Sequence, residues 1–339
     1  MNYVRDLAIE LLSIPSPGGD TEKAVARLER EFANLGIPTV KTAKGALIAT
    51  LEGTESGRAR CTAAHIDTLG AVVRRIEDNG RLRVLPIGGF NWNSLEAENC
   101  IIHTLDGKEY NGSFMPDKAS RHAHPVEGSD KRDNDLVAIR LDEVVHSKED
   151  VLNLGIGVGD IVSFDPRTVL TPSGYLKSRH LDDKACVAVA LGACKYFIDH
   201  GIKPARTTHI YISNYEEIGH GTSRLPEGTK EFIALDIGIV AEGTNSSEEA
   251  VTICARDSRT PYDRNFVKEL ASLAKKNDIS HRIDTYFGYG SDASMAVQQG
   301  EDVRFACIGM GVDSTHHYER THLRGIEANL ELLVAWMES

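Results

Sequence analysis

Three observations predict an α/β protein with a largely parallel sheet and a smaller β-rich insertion. Long amphipathic helical segments alternate with short buried strand segments from residue 178 onward, a helix-helix-strand-strand set opens the chain, and the stretch between has a different texture. At 339 residues the chain exceeds the ~250 to 300 residues at which one hydrophobic core stops growing, so a large and a small domain are expected. The simplest arrangement joins 1–72 and 174–339 into one α/β domain, with 73–173 inserted.

Residues 3–12 place Val4, Leu7, Ala8, Leu11 and Leu12 at helical spacing and stop at the breaker cluster Ile14-Pro-Ser-Pro-Gly-Gly19. Asp20 or Thr21 caps a second helix carrying Ala24, Val25, Leu28, Phe32 and Leu35, closed by Gly36. Strands follow near 46–51 and 59–64. In the middle third the apolar runs are short, as in Arg81-Leu-Arg-Val-Leu85, Cys100-Ile-Ile-His103 and Leu136-Val-Ala-Ile-Arg-Leu141, and Asp106-Gly107 marks a tight hairpin. The polar stretch 122–135 reads as a mobile loop. Beyond Ser178 the pattern gives helices near 184–199, 262–276 and 325–337, and strands near 208–214, 232–240 and 303–309.

Hydrophobic residues at 41% and charged residues at 26% are ordinary for a soluble globular chain. The net charge of -12 argues against nucleic acid or an anionic membrane as partner, because either requires a basic face. The six cysteines are scattered without a Cys-x-x-Cys pair, and read as buried reduced thiols. Charges interrupt the first ten residues, and no run approaches the ~20 apolar residues of a membrane span. The expected location is the cytoplasm.

Apolar runs end in islands of His, Asp and Glu at five places: His65-Ile-Asp67, His180-Leu-Asp-Asp183, Glu216-Glu217, Asp236, and His316-His317-Tyr-Glu319. Functional groups of parallel sheets gather at the carboxyl ends of the strands, which is where these islands lie. Adjacent carboxylates such as Glu216 and Glu217 repel, and a partly buried pair is tolerated when a cation stands between them or one holds a proton. A site with two metals about 3.5 Å apart needs a bridging carboxylate and a His or carboxylate pair on each ion. Asp182 would bridge, His65 and Asp236 would complete one zinc or cobalt ion, and Glu217 and His316 the other. Glu216, beside a ligand without being one, would act as the general base. Asp67 would orient His65 by accepting its other ring N–H.

Each island also has an ordinary explanation. His65-Ile-Asp67 alone is more often a surface pair or turn, and Asp182-Asp183 before Lys184 serves equally as a helix cap, with Asp183 at the cap if both readings hold. Glu216-Glu217 and His316-His317 are compatible with solvated turns. Asp236 has no nearby Lys, so burying it without a cation would be costly. The joint occurrence decides for metal. Gly288-Tyr-Gly-Ser-Asp292 offers Tyr289, Ser291 and Asp292 as substrate contacts, or simply caps a helix. His122 and His124 read as part of a polar loop rather than as ligands. Gly155-Ile-Gly-Val-Gly159 precedes a strand and is not a nucleotide loop.

In this order, Ala64-His-Ile-Asp67, Leu181-Asp-Asp183, Glu216-Glu-Ile-Gly219 and Asp236, with Ser291-Asp-Ala293 and a late His, resemble the tetrahedral, or glutamyl, aminopeptidase family of two-metal metallopeptidases over nearly the whole chain. The resemblance implies a three-layer metallopeptidase domain, an inserted PDZ-like β domain serving dimerisation, homo-oligomers from dimers to dodecamers, and two zinc or cobalt ions per chain. It implies the same ligand and base assignments. Thr68-Leu69 departs from the acidic and branched pair usual after the first motif. His316-His317-Tyr-Glu-Arg replaces the usual His-Ser-Pro turn and leaves two histidines as candidates; His316 is chosen because the position after the ligand is typically small and variable.

Stretches including Ile66-Asp-Thr-Leu-Gly70, Ser178-Arg-His-Leu-Asp-Asp-Lys184 and His317-Tyr-Glu-Arg-Thr-His-Leu323 resemble a bacterial branch associated with the osmoprotectant N-acetylglutaminylglutamine amide. That implies a short peptide or peptide amide as substrate. The expected function is therefore metal-dependent cleavage of N-terminal peptide bonds in short peptides. The alternative is an amidase or deacylase acting on N-acylated glutamine dipeptides. An endoglucanase would use two carboxylates on a sugar without metal, and two tryptophans, Trp92 and Trp336, offer little for sugar stacking. A non-catalytic binding protein is disfavoured by a full ligand set with Glu216 to spare.

Overall fold

In the computed structural model of the chain, residues 1–120, 122–124 and 131–339 are described. Of the loop expected over 122–135, residues 125–130 lie outside the described residues. His122 and His124 are exposed, and neither belongs to a group of metal-ligating side chains among the described residues.

The chain divides into two compact units, Met1–Asp67 with Arg167–Ser339, and Thr68–Pro166. In the smaller unit six strands close a barrel, in the order Gly70–Ile76, Leu82–Ile87, Val137–Leu141, Glu109–Pro116, Asn99–His103 and Ile161–Phe164. Its interior holds Leu69, Ala71, Val73, Ile102, Phe114, Ile139 and Val162. Leu69 and Ala71 already belong to this core, so the barrel begins before residue 73, where the texture of the sequence changes. The hairpin expected at Asp106-Gly107 forms between Asn99–His103 and Glu109–Pro116, with Gly107 at φ +83°, a conformation open to glycine at little cost.

The larger unit is built on a 12-stranded sheet. At its centre Arg206–Ser213, Glu55–His65, Thr229–Leu235 and Arg304–Asp313 run parallel. Antiparallel strands flank them: Leu47–Leu51 beside Arg206–Ser213, and Val251–Arg256 and Glu319–His322 beside Arg304–Asp313. The apolar runs that predicted the central strands are buried, as expected for a sheet covered on both faces. Parallel register brings the strand ends to one edge, with Ser213 opposite His65 and Leu235 opposite Ile308.

Helix Leu181–His200 packs on helices Asn2–Leu12 and Leu323–Glu338 and on strand Glu55–His65. Every residue from Leu181 to Cys194 is buried, which explains why the stretch after Lys184 is apolar all round rather than amphipathic. Helices Glu22–Asn34 and Arg264–Lys276 instead bury one stripe each, Ala24, Val25, Leu28 and Phe32 in the first and Phe266, Val267, Leu270 and Ala274 in the second. Burying each Leu, Val or Phe contributes about 1.5–3 kcal/mol. No helix among the described residues is long and apolar enough to cross a membrane. All six cysteines are buried and unpaired.

Candidate metal centre

His65 closes the strand Glu55–His65. Its Nδ1–H donates to the backbone carbonyl of Asp67 at 2.9 Å, which leaves Nε2 to face Asp182 Oδ1 at 3.1 Å and Glu216 Oε2 at 3.7 Å. Asp67 thus accepts the other ring N–H, as expected, but through its main-chain carbonyl. The Asp67 carboxylate stands farther away, 3.8 Å from Nδ1, because it is already engaged: Oδ1 accepts the backbone N–H of Glu216 at 3.1 Å and Oδ2 that of Glu217 at 3.2 Å. Asp67 grips the loop that carries the paired glutamates, and its main chain orients the imidazole.

Asp182 and Asp183 follow His180, which has φ +68°, and both keep non-helical dihedrals, so the regular helix starts after them. The peptide bond between them is cis. Asp183, just before the regular helix, is fully buried and spends its Oδ2 on the backbone N–H of His65 at 3.0 Å. Asp236 follows strand Thr229–Leu235, donates its own N–H to the Ile308 carbonyl at 3.0 Å, and accepts the Ile237 N–H at 2.7 Å. The chain passes so close here that a Cβ on Gly309 would lie 1.3 Å from the Asp236 carbonyl oxygen, so only glycine fits at 309.

His316 sits in the turn after strand Arg304–Asp313 with φ +60°. Its Nε2 is 3.5 Å from Asp182 Oδ2 and 3.5 Å from Glu217 Oε2. His317 is exposed, and its Nδ1 accepts the Tyr318 N–H, so the geometry selects His316 of the two. Two groups of side chains could hold a metal ion among the described residues: His65, Asp182 and Asp236, and Asp182, Glu217 and His316, each with its donor atoms within 4.8 Å of one another. Asp182 is common to both. Glu216 belongs to neither.

The charge balance tests whether these donors suit a cation. Burial first, then the charge of Asp182, pushes the Asp236 carboxyl well above the usual carboxylate range. Burial likewise lifts Glu216 well above it, against the pull of His65, and raises Glu217 to about 8. Burial works against charge on His316 too, yet Glu217 and Asp182 raise it to about 10. Asp182 is buried as well, but its contacts with His316 and His65 hold its carboxyl below the usual range. Acceptors that face one another at 3 to 4 Å in a largely buried site need protons or a cation between them. Imidazole and carboxylate donors in trios with a shared member fit divalent zinc or cobalt.

These groups open onto a cavity of about 360 Å³, lined also by Ile237, Ile239, Arg259, Gly288, Tyr289, Gly290 and Met295. Of the three proposed substrate contacts, Tyr289 lines it. Ser291 and Asp292 do not. Ser291 caps the short helix Asp292–Gln298 and meets the Tyr262 hydroxyl at 2.6 Å; Asp292 accepts the Ser213 hydroxyl and, at 2.6 Å, the Thr222 N–H. Both are spent on internal bonds, which corrects that expectation and leaves the helix-cap alternative for Ser291.

Arg259 has no counterpart in the sequence reading. It is the one guanidinium or ammonium among the described residues lining the cavity, and its Nη1 donates to Gln298 Oε1 at 2.9 Å. A Cβ on Gly290 would meet its Nε at 2.6 Å, so any larger residue there would have to displace the guanidinium. Nothing in the Asp257-Ser-Arg-Thr-Pro261 turn signals this. Glu319, within the last island but unassigned, is buried and accepts the backbone N–H groups of Asp182 and His316.

The model of the M42 glutamyl aminopeptidase family matches residues 45–332. A putative aminopeptidase of Bacillus subtilis, YhfE, is 44% identical over 98% of this chain and 97% of its own. Among solved structures, an aminopeptidase from the archaeon Desulfurococcus kamchatkensis superposes with a TM-score of 0.88 at 24% identity, covering 99% of this chain and 94% of its own. The Pyrococcus horikoshii TET1 peptidase, which can assemble into a tetrahedron or a large octahedral shell, does so with a TM-score of 0.83 at 24% identity, covering 98% of this chain and 99% of its own.

Proposed function

The chain belongs to the M42 glutamyl aminopeptidase family of peptide-bond hydrolases, and from that premise we propose that it removes N-terminal residues from short peptides at a two-metal site with Glu216 as general base. One observation carries the proposal: Glu216 lies 3.7 Å from His65 Nε2 yet stands outside both groups of ligand atoms. His65, Asp182 and Asp236 would hold one divalent ion and Asp182, Glu217 and His316 the other, with zinc and cobalt best suited to these donors. When bound, such ions supply Lewis acidity to the scissile carbonyl and lower the pKa of water.

The remaining chemistry belongs to the chain. Glu216 takes a proton from the attacking water and delivers it to the nitrogen of the departing amine. Asp67 keeps Glu216 in reach by holding its backbone N–H. Arg259 receives a carboxylate on the N-terminal side chain of the substrate through charge-assisted hydrogen bonds, a preference in keeping with the glutamyl name of the family. Tyr289 and Ile239 form apolar wall beside it.

We extend the proposal to assembly and place. The Pyrococcus horikoshii relative builds closed shells, and a homo-oligomer is proposed here too, with the barrel unit as a contact. Buried unpaired cysteines support a reducing compartment, the cytoplasm.

Removal and return of metal test the central point. Chelated protein should lose hydrolysis of a short peptide with a free N-terminal Glu, and two equivalents of zinc or cobalt per chain should restore it. Full activity in a preparation shown by elemental analysis to be metal-free would refute the proposal.

A further inference from the structure

We propose that Glu319 is a positioning residue that presents Asp182 and His316 to a common cation through their main chains; this rests on the metal-centre reading above. Glu319 begins the strand Glu319–His322, whose register with Tyr175–Ser178 places it opposite Ser178. From there one carboxylate reaches two segments that are far apart in sequence. Its Oε2 accepts the N–H of Asp182 at 3.1 Å, and its Oε1 accepts the N–H of His316 at 3.0 Å. Glu319 is 2% exposed and is a member of neither group of potential ligands.

The backbone at both ends of this bridge needs holding. Ser314 and His316 have φ of +59° and +60°, a region unfavourable to non-glycine residues that persists where surrounding contacts over-determine it. The His316 side chain is 40% exposed, so packing alone does not fix it. Asp182 lies in the non-helical entry to its helix, where no helical hydrogen bond uses its N–H. The turn has a second grip in Arg179, whose Nη1 donates to the His317 carbonyl at 3.1 Å. Glu319 ties the main chain of the turn to that of Asp182, and so helps set the spacing between the imidazole and the shared carboxylate.

A glutamine at 319 preserves size but offers a single acceptor oxygen, so one of the two N–H groups would face an amide NH₂. Supporting contacts of metal ligands are worth about 10–100-fold in metal affinity. Cobalt titrated into full-length metal-free protein against a chromophoric chelator should load two equivalents in wild type. Glu319→Gln should load the equivalent held with His316 10–100-fold more weakly and the other, which shares Asp182, by a smaller factor, with an altered visible cobalt spectrum for the more weakened ion. Glu319→Asp, which keeps the charge but is too short to span both donors, should shift the same equivalent in the same direction and guards against a Gln variant that does not fold. Identical binding of both equivalents in wild type and in a folded variant would overturn the role of Glu319 while leaving the metal centre standing. A wild-type protein that takes up no cobalt would overturn both.

Discussion

Glu216 stands 3.7 Å from Nε2 of His65 and is 9% exposed, close enough to the ligand atoms to serve them and free of both clusters. Replacing it with glutamine keeps the size and the backbone grip of Asp67 but removes the proposed proton acceptor. Glu216→Gln should lower kcat by about 10²–10⁴-fold with metal content unchanged by elemental analysis. Wild-type kcat in the metal-loaded variant would remove Glu216 from the mechanism.

Arg259 should decide which side chains are accepted. Charged hydrogen bonds contribute about 1.5–3 kcal/mol, or roughly 10–100-fold in an equilibrium constant. Arg259→Gln should therefore raise KM by about that factor for substrates beginning with Glu, and barely alter it for Ala or Leu. An equal change for all three would mean that Arg259 supports the wall without reading charge.

Asp67 joins His65 to the glutamate loop by two different routes, main chain to one and carboxylate to the other. Asp67→Ala keeps the carbonyl that orients His65 but strands two buried N–H groups, each at about 1–3 kcal/mol. Chemical denaturation should show a loss of that order in the metal-free protein. Affinity for the ion at His65 should fall less than in His65→Ala; an equal fall would show that the carboxylate also governs the imidazole.

Stability without metal should depend on pH in a defined direction. Glu217 and Glu319, both lifted to about 8 chiefly by burial, keep protons in the folded state that the unfolded chain releases near 4.5. Stability must fall as pH rises through that window. His316, raised to about 10 by Glu217 and Asp182 against the effect of burial, acts in the same sense above about 6.5. Asp182, with its depressed carboxyl, gives stability that is lost only in more acid solution. Thermal melting in chelator should show a lower Tm at pH 8 than at pH 5.5, with zinc reversing the order. A flat profile between these values would contradict the buried, proton-sharing cluster.

Several site residues were legible in the chain because hydrophobic periodicity locates strand ends, and charges at the end of an apolar run stand out against it. His65, Glu216, Glu217 and Asp236 have that signature, whereas Asp182 stands at the entry to a buried helix. Arg259 lacks it, lying in a polar turn like many others, and becomes visible only when folding carries Gly290 across its guanidinium. The strand Val251–Arg256 has no place in the sequence expectations, although its β-branched start Val-Thr-Ile and the Asp257–Pro261 turn after it are strand signals.

By itself the sequence determined the α/β class, the inserted β-rich segment and the supply of ligand-type residues, because burial periodicity and local turn chemistry are properties of neighbouring residues. Only the tertiary structure decided how those residues are used: His316 rather than His317, the Asp67 carbonyl rather than its carboxylate at His65, Ser291 and Asp292 turned inward, and Glu319 joined to two backbones. Apart from the local bond between His65 and the Asp67 carbonyl, those choices rest on contacts between residues far apart in the chain, and their distances follow from parallel register and turn geometry that no local pattern encodes.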